Sequence, residues 1–356
     1  MKQGRSLQEL AVEIQRQQEA KKDYLVETSS MYMTSDGNLE VDGLEPLFHV
    51  NDIAHAQIGQ YLEIPSRYYE KMRLESSDLL ADNVNHWLHK PTDSQPPRRM
   101  LRTLDDNLRA FLSDRYRRID NTAVAETVLP VISQMEGARV ESCEITDEKM
   151  YIKVVNQRIE SQVKVGDIVQ AGIIITNSEV GRGSVSVSPL IYRLVCSNGM
   201  IAQDGQVRKN HVGRTNDIGY DFSIFRDETI EADDRAFLMK VRDAVSAAVD
   251  QTVFERLVQQ MRDATESKVE AISVPKVMEL TSKQFGISIN ENEGVLGHLI
   301  SGGDLSLYGV ANAVTRYAQD VKSYDRSTEL EATGYRILTM APKLWNSILS
   351  TARKEV

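Results

Sequence analysis

Cysteine is nearly missing from this chain. Cys143 and Cys196 are the only two in 356 residues, too few for a disulfide framework, and that scarcity fits a reducing, cytoplasmic setting. Long apolar runs are missing as well. Stretches such as Gly172–Thr176 and Ala244–Val249 fall far short of the roughly 20 residues that a membrane-spanning helix needs. The first thirty residues are charged and have no apolar stretch before a small-residue cleavage site, so no secretory signal is expected. The motifs of common chemistries are also absent. There is no Gly-x-x-x-x-Gly-Lys-Ser/Thr phosphate loop, no His-Glu-x-x-His, no Cys-x-x-Cys and no Gly-x-Ser-x-Gly elbow. Gly181-Arg182-Gly183 opens like a dinucleotide fingerprint, but Ser186 stands where the third glycine belongs and a strand pattern follows, so it reads as a hairpin turn. His86 and His89 lie one helical turn apart with no third ligand nearby, and Cys196 beside Val195 reads as a space-filling thiol. The expectation is a protein with no catalytic residue, bound nucleotide, cofactor or metal. A nuclease would need a carboxylate cluster around a divalent metal, which spacing alone does not exclude.

What the chain does contain is a globular composition, 41% hydrophobic and 26% charged, too apolar for a mainly disordered polymer. Its length suggests two or three structural units. Lys and Arg number 42 against 52 Asp and Glu, a formal charge of −10. Such a chain is not coated in phosphate-binding charge, but an acidic body can carry one basic stripe.

Ser6–Lys22 places Leu7, Leu10, Ala11 and Ile14 at helical steps. Tyr24–Met33 then turns strand-like, and Ser35-Asp36-Gly37-Asn38 before Leu39–Val41 predicts a hairpin. Three short helices follow, Ile53–Leu62, Ser66–Leu74 after Pro65, and Ser76–His89, a unit of helix-turn-helix size. Pro91–Pro97 reads as a linker. The richest strand region comes next: Met100–Leu104 and Leu108–Leu112 around Asp105-Asp106-Asn107, then a helix from the cap Asn121 to about Met135, closed by Gly137. Arg139–Ile145 and Lys149–Val155 form another hairpin, as do Ile168–Asn177 and Ser184–Val195. In the last of these, Ser184, Ser186 and Ser188 alternate with Val185 and Val187, which predicts a sheet with one buried and one wet face. Beyond Asp227 the pattern is helical: a long helix Ala232–Ile272, then Lys276–Phe285, Glu293–Leu299, Leu307–Val321, Ser327–Leu338 and Pro342–Lys354, with Gly302-Gly303 as a flexible connection.

The expected fold is therefore α+β. Residues 1–97 hold the N-terminal helix, hairpin and three-helix unit, 98–226 a central antiparallel sheet with a packed helix, and 227–356 a helical region.

Positive charge is locally concentrated. Arg98, Arg99, Arg102, Arg109, Arg115, Arg117 and Arg118 face only Asp105, Asp106 and Asp114 between positions 98 and 118, and no lysine occurs there. Arginine forms paired hydrogen bonds with phosphates and stacks on bases. Tyr116, inside Arg115-Tyr116-Arg117-Arg118, is placed to stack on an unpaired base. A second cluster holds Arg208, Lys209, His211 and Arg214 without an acid. These residues make single-stranded DNA the expected partner, held in a groove whose phosphates Arg98, Arg99, Arg102, Arg115, Arg117 and Arg118 neutralise. The long helix Ala232–Ile272 is the expected self-association surface of a homo-oligomer. The alternative is a non-enzymatic assembly or host-interaction protein in which the arginines form ion pairs and no nucleic acid binds.

Leu112-Ser113-Asp114-Arg115-Tyr116, Asn177-Ser178-Glu179-Val180-Gly181 and Tyr192-Arg193-Leu194-Val195-Cys196-Ser197-Asn198-Gly199-Met200 resemble successive signatures of the phage/plasmid-like protein family, domain of unknown function 932. Ile64-Pro65-Ser66-Arg67-Tyr68-Tyr69, Asn83-Val84-Asn85-His86-Trp87, Asn312-Ala313-Val314-Thr315-Arg316-Tyr317-Ala318 and Tyr324-Asp325-Arg326 are similar to it too, so the resemblance spans roughly residues 20–340. It implies a phage- or plasmid-associated role in a bacterial host cell. The order of strands, hairpin and long helix, with arginines on the sheet side, is also similar at the level of fold to the single-strand annealing recombinases. That likeness implies ATP-independent strand annealing and recombination, and it carries over none of that family's site residues.

Overall fold

The computed structural model describes residues 1–45, 47–90, 97–203, 207–209, 227–247, 250–269 and 273–354. Helix α1 (Leu7–Ala20) opens on Ser6, whose side chain accepts the Glu9 amide while Glu9 accepts that of Ser6, a full capping box. Strand β1 (Lys21–Glu27) follows directly, then β2 (Met31–Met33) and β3 (Leu39–Val41), the expected hairpin. After β4 (His49–Val50) come α2 (Asp52–Tyr61), α3 (Ser66–Glu75) and α4 (Ser77–Leu88), close to the three helices expected. Their buried faces, with Ile58, Tyr69, Met72, Leu80 and Val84, share one core with Met31, Leu39, Phe48, Leu101 and Phe111.

Strands β5 (Arg98–Leu104) and β6 (Asn107–Ser113) pair antiparallel across Asp105 and Asp106, both at positive φ (48° and 61°), as a tight hairpin turn of that twist requires. They join β1 and β4 in a four-stranded sheet of order β1-β5-β6-β4. A boundary at 97/98 would therefore cut through a sheet: Lys21–Glu27 registers residue for residue on Leu104–Arg98.

The second sheet has the order β11-β10-β9-β8-β7, from β7 (Ala138–Ile145), β8 (Met150–Lys164), β9 (Asp167–Asn177), β10 (Val185–Arg193) and β11 (Asn198–Ile201). A short β12 (Val207–Lys209) pairs with the first half of β10. Helix α5 (Asn121–Gln134) precedes this sheet, and α6 (Asp227–Ala247), α7 (Gln251–Glu266), α8 (Val274–Phe285), α9 (Ile289–Gly302), α10 (Leu307–Tyr317), α11 (Tyr324–Leu338) and α12 (Pro342–Lys354) follow it. Among the described residues no helix is long and apolar enough to cross a membrane.

Three expectations change. The sheet is not wet on one side: Ser184, Ser186 and Ser188 are buried along with Val185 and Val187. One face packs on α1, α5 and α6, with Ile152, Val154, Ile173 and Ile175 in that core. The other carries Tyr151, Ile174, Leu190 and Tyr192 against Tyr324 of α11. Ser186 tolerates burial because its hydroxyl meets Thr176 Oγ1 at 2.8 Å. Second, the helix expected over 232–272 is two helices. Asp250 accepts the Val253 amide and starts α7 afresh. Its apolar stripe, Phe254, Leu257, Val258 and Met261, lies in this chain's own core, as do Phe237, Val241 and Val245 of α6, so neither stripe is a free self-association surface. Third, Asn121 is the first residue of α5 rather than its cap. Asp120 stands at the N-cap, and a distant carboxylate, described below, takes the Asn121 amide.

Candidate nucleic-acid interface

The Asn177–Gly183 turn, between β9 and β10, is the joint of the molecule. Asn177 donates to the Ile119 carbonyl (2.9 Å) and to Asn121 Oδ1 (2.8 Å). Ser178 Oγ donates to the Glu148 carbonyl and accepts the Arg182 amide. Glu179, its side chain 3% exposed, receives Arg109 at 2.5 Å, Lys21 at 3.4 Å and the backbone amide of Asn121 at 2.7 Å. A buried carboxylate thus caps α5, where the unsatisfied amides and the helix dipole favour negative charge. Burial alone would raise the Glu179 carboxyl's pKa, but Arg109 and Lys21 outweigh it and hold the group below its ordinary range. Gln57 of α2 ties the same turn to the first sheet: its amide donates to the Val180 carbonyl and accepts from the Phe111 amide.

Arg102 completes this network from β5. Its side chain is 0% exposed, bidentate on Asp23 (2.8 and 3.2 Å), bonded to Asp120 (2.8 Å) and to the Glu179 carbonyl (3.0 Å). Desolvation pushes the Asp120 carboxyl up, yet Arg102 and Lys21 bring it down to about 2. Tyr116 is buried as well, and its hydroxyl donates to the Ser178 carbonyl at 3.0 Å. Arg102 and Tyr116 are therefore corrections to the expected groove. Neither side chain reaches solvent, so neither neutralises a phosphate nor stacks on a base here.

Of the remaining arginines, Arg99 is half-buried with its guanidinium over Tyr61 (4.6 Å) and Phe111 (4.8 Å). Arg117 is nearly covered and paired to Asp233 (2.5 Å) and Asp234 (2.6 Å) at the acidic start of α6. Arg98 is exposed beside Glu27 at 3.7 Å, and Arg118 is exposed with Asp23 at 3.5 Å. Arg115 is exposed on the loop after β6. That loop is a turn, not a strand, so Arg115 and Arg117 do not share a strand face: one faces solvent and the other faces α6. Arg208 and Lys209 lie in β12, where they register on Ser186 and Val185. His211 and Arg214 lie outside the described residues.

What comes together is a corner. The Arg115 loop packs on the 177–183 turn through Tyr116, Leu112 and Gly181, where a side chain on Gly181 would meet Leu112 at 2.8 Å. Strand β12 starts its pairing two residues beyond Gly183. Between them stands Arg182, exposed and in no ion pair among the described residues. Sequence reasoning passed over it because Gly181-Arg182-Gly183 reads as a turn and nothing local marks its guanidinium as one without an ion pair among the described residues.

Other candidate chemistry is occupied. His86 stacks edge-on against Trp87, and His89 Nε2 meets the Met31 carbonyl at 3.0 Å. Among the described residues no group of three or more His, Cys, Asp or Glu side chains could hold a metal ion. No match was found among curated proteins or solved structures. The family described as Domain of unknown function (DUF932) matches residues 110–341, more than half of the chain and the stretch that holds the 112–116, 177–181 and 192–200 signatures. This chain belongs to that family of domain of unknown function 932.

Proposed function

We propose that the protein binds single-stranded nucleic acid at the corner formed by the Arg115 loop, Arg182 and β12, and that it pairs complementary strands without ATP. One observation carries this reading: two basic segments some ninety positions apart converge on one turn at one end of the central sheet, and that turn presents a guanidinium with no carboxylate partner among the described residues. Arginine is suited to phosphate because its planar fork makes two parallel hydrogen bonds. Binding rests on phosphate contacts by Arg115, Arg118 and Arg182 rather than on stacking by Tyr116. Such contacts release condensed counterions, so affinity falls steeply as salt rises. Fluorescence anisotropy of a labelled single strand, with the matched duplex alongside, tests this at low and at physiological salt. Arg115→Ala with Arg182→Ala should weaken binding at least tenfold and reduce the salt slope by about two, one for each phosphate contact removed. Affinity that ignores salt, or that survives the double change, would sink the reading. Light scattering with and without the strand reads oligomer size, and strand pairing is the next assay.

The second reading, a non-enzymatic assembly or host-interaction protein, draws on a different observation. Tyr68, Leu74, Leu79 and Trp87 on α3 and α4 are 48%, 78%, 42% and 45% exposed, an unusual density of large apolar side chains on two adjacent helices. No binding of nucleic acid at either salt would put this reading in front.

A further inference from the structure

The far end of the central sheet holds a second polar site. It lies roughly 25–30 Å from the basic corner, the length of β10. There the end of β8 (Lys164), the end of β10 (Arg193), Asp304 and α10 (Tyr308, Arg316) line a pocket of about 70 Å³. That is several times the roughly 10–15 Å³ that a cavity needs to hold a single water, space for a compact ion.

The charges lining it do not balance. Asp167, behind Arg193 and Tyr308, is saturated: Arg193 binds it bidentately at 2.6 and 2.8 Å, and the Tyr308 hydroxyl donates to it at 2.9 Å. Asp304 accepts Lys164 at 2.5 Å and Ser306 Oγ at 2.6 Å. Arg316 is half-buried and bonded only to the Cys196 carbonyl oxygen, at 2.8 Å, with no carboxylate partner among the described residues. A partly desolvated guanidinium needs compensation that a carbonyl dipole supplies only in part. The Asp304 loop lies close against α10: a side chain on Gly309 would overlap the Asp304 carbonyl oxygen. Nothing lies within 4 Å of where a Gly302 side chain would begin, which leaves the mouth open.

We propose that this pocket binds one small phosphate-type oxyanion, with Arg316 as its principal ligand and the Lys164 ammonium as the second. Arg193, locked onto Asp167, supplies field rather than a direct bond. The same chemistry is offered by free inorganic phosphate and by the terminal phosphate of a nucleic-acid strand.

Thermal unfolding of the full chain with inorganic phosphate, against chloride at matched ionic strength, tests it. Phosphate should raise the midpoint in a saturable way, and Arg316→Gln should weaken the apparent affinity at least tenfold, with Arg316→Lys retaining part of it. Lys164→Gln supplies an independent variant should the Arg316 change impair folding, and it too should weaken phosphate several-fold. Competition by a 5′-phosphorylated short oligonucleotide but not by its 5′-hydroxyl twin would identify a strand end as the source. Competition by neither would identify free phosphate. No stabilisation beyond that of chloride, or equal affinity in the wild type and both neutralising variants, overturns the proposal. Arg115 and Arg182 play no part here, so this test and the strand-binding test fail separately.

Discussion

Arg102 is a buried side chain on which two carboxylates depend. Removing it takes the shared guanidinium from Asp23 and Asp120, largely covered carboxylates left with only Arg118 and Lys21. Breaking a buried pair from one side typically costs about 3–5 kcal/mol. Arg102→Ala should therefore lower unfolding stability by that amount in a urea titration. Arg182→Ala, at an exposed guanidinium with no ion pair among the described residues, should stay within about 0.5 kcal/mol. Equal losses in the two would contradict the assignment of one to structure and the other to binding. Asp120 adds a pH signature. Its carboxyl sits at about 2 in the fold against an ordinary 3.8, so the folded state holds the charged form more tightly than the unfolded chain does. The resulting stability, on the order of 2 kcal/mol, is present above pH 4 and is lost as pH falls through about 2. Asp120→Asn should flatten that acid limb of the stability profile. An unchanged limb would mean that other carboxylates carry it. The arginines were legible as a cluster because they crowd 98–118, but their partners were not: Asp23 is 79 positions from Arg102 and Asp233 is 116 from Arg117. No local pattern distinguishes an arginine with a distant carboxylate from a free one.

Elements were read well wherever their cause is local. Asp105-Asp106 gave the β5–β6 hairpin because both residues tolerate positive φ. The helices α2–α4 and α8–α12 followed from apolar spacing, although α9 starts at its cap Ser288, ahead of the expected Glu293. Elements were misread wherever a second layer decides. The Ser-Val alternation of β10 correctly gives a strand, but it cannot show that helices cover both faces of the sheet. Likewise the continuous helical pattern after 232 hides the break at Asp250, a residue that is neutral in a helix and strong at its start. The close seam between α10 and α11 offers a test at this scale. A methyl group at Gly334 would lie 2.3 Å from Thr315 Cγ2 and 3.1 Å from the Ala311 carbonyl oxygen. Gly334→Ala should cost about 1–3 kcal/mol through overpacking. Adding Thr315→Ser removes that Cγ2 and keeps the hydroxyl that accepts from Asn198 at 2.5 Å, so the double variant should recover part of the loss. No recovery would place the strain at the Ala311 carbonyl instead.

At the scale of the whole molecule, two devices weld the parts together. Lys153 of β8 and Glu331 of α11, both 0% exposed, meet at 2.6 Å with the ammonium also over the Tyr324 ring at 4.7 Å. Lys153→Met should cost about 3–5 kcal/mol by stranding Glu331, whereas Lys153→Met with Glu331→Leu should be markedly less damaging. Additive losses in that cycle would show that the pair is not coupled. The second device is the sheet that β1 shares with β5. A chain started at residue 98 loses both that strand and Asp23, so circular dichroism and hydrogen exchange should find it without a cooperative fold, despite the linker-like composition before it. By itself the sequence determined the α+β class, most helices, the hairpin turns and the presence of concentrated arginine, because each depends on neighbours within a few residues along the chain. Only the tertiary structure decided which arginines are consumed, which strand faces are dry and that the first sheet draws strands from both sides of position 97. Those outcomes depend on charges and apolar faces that meet across tens to hundreds of positions, where chain order carries no trace of distance in space.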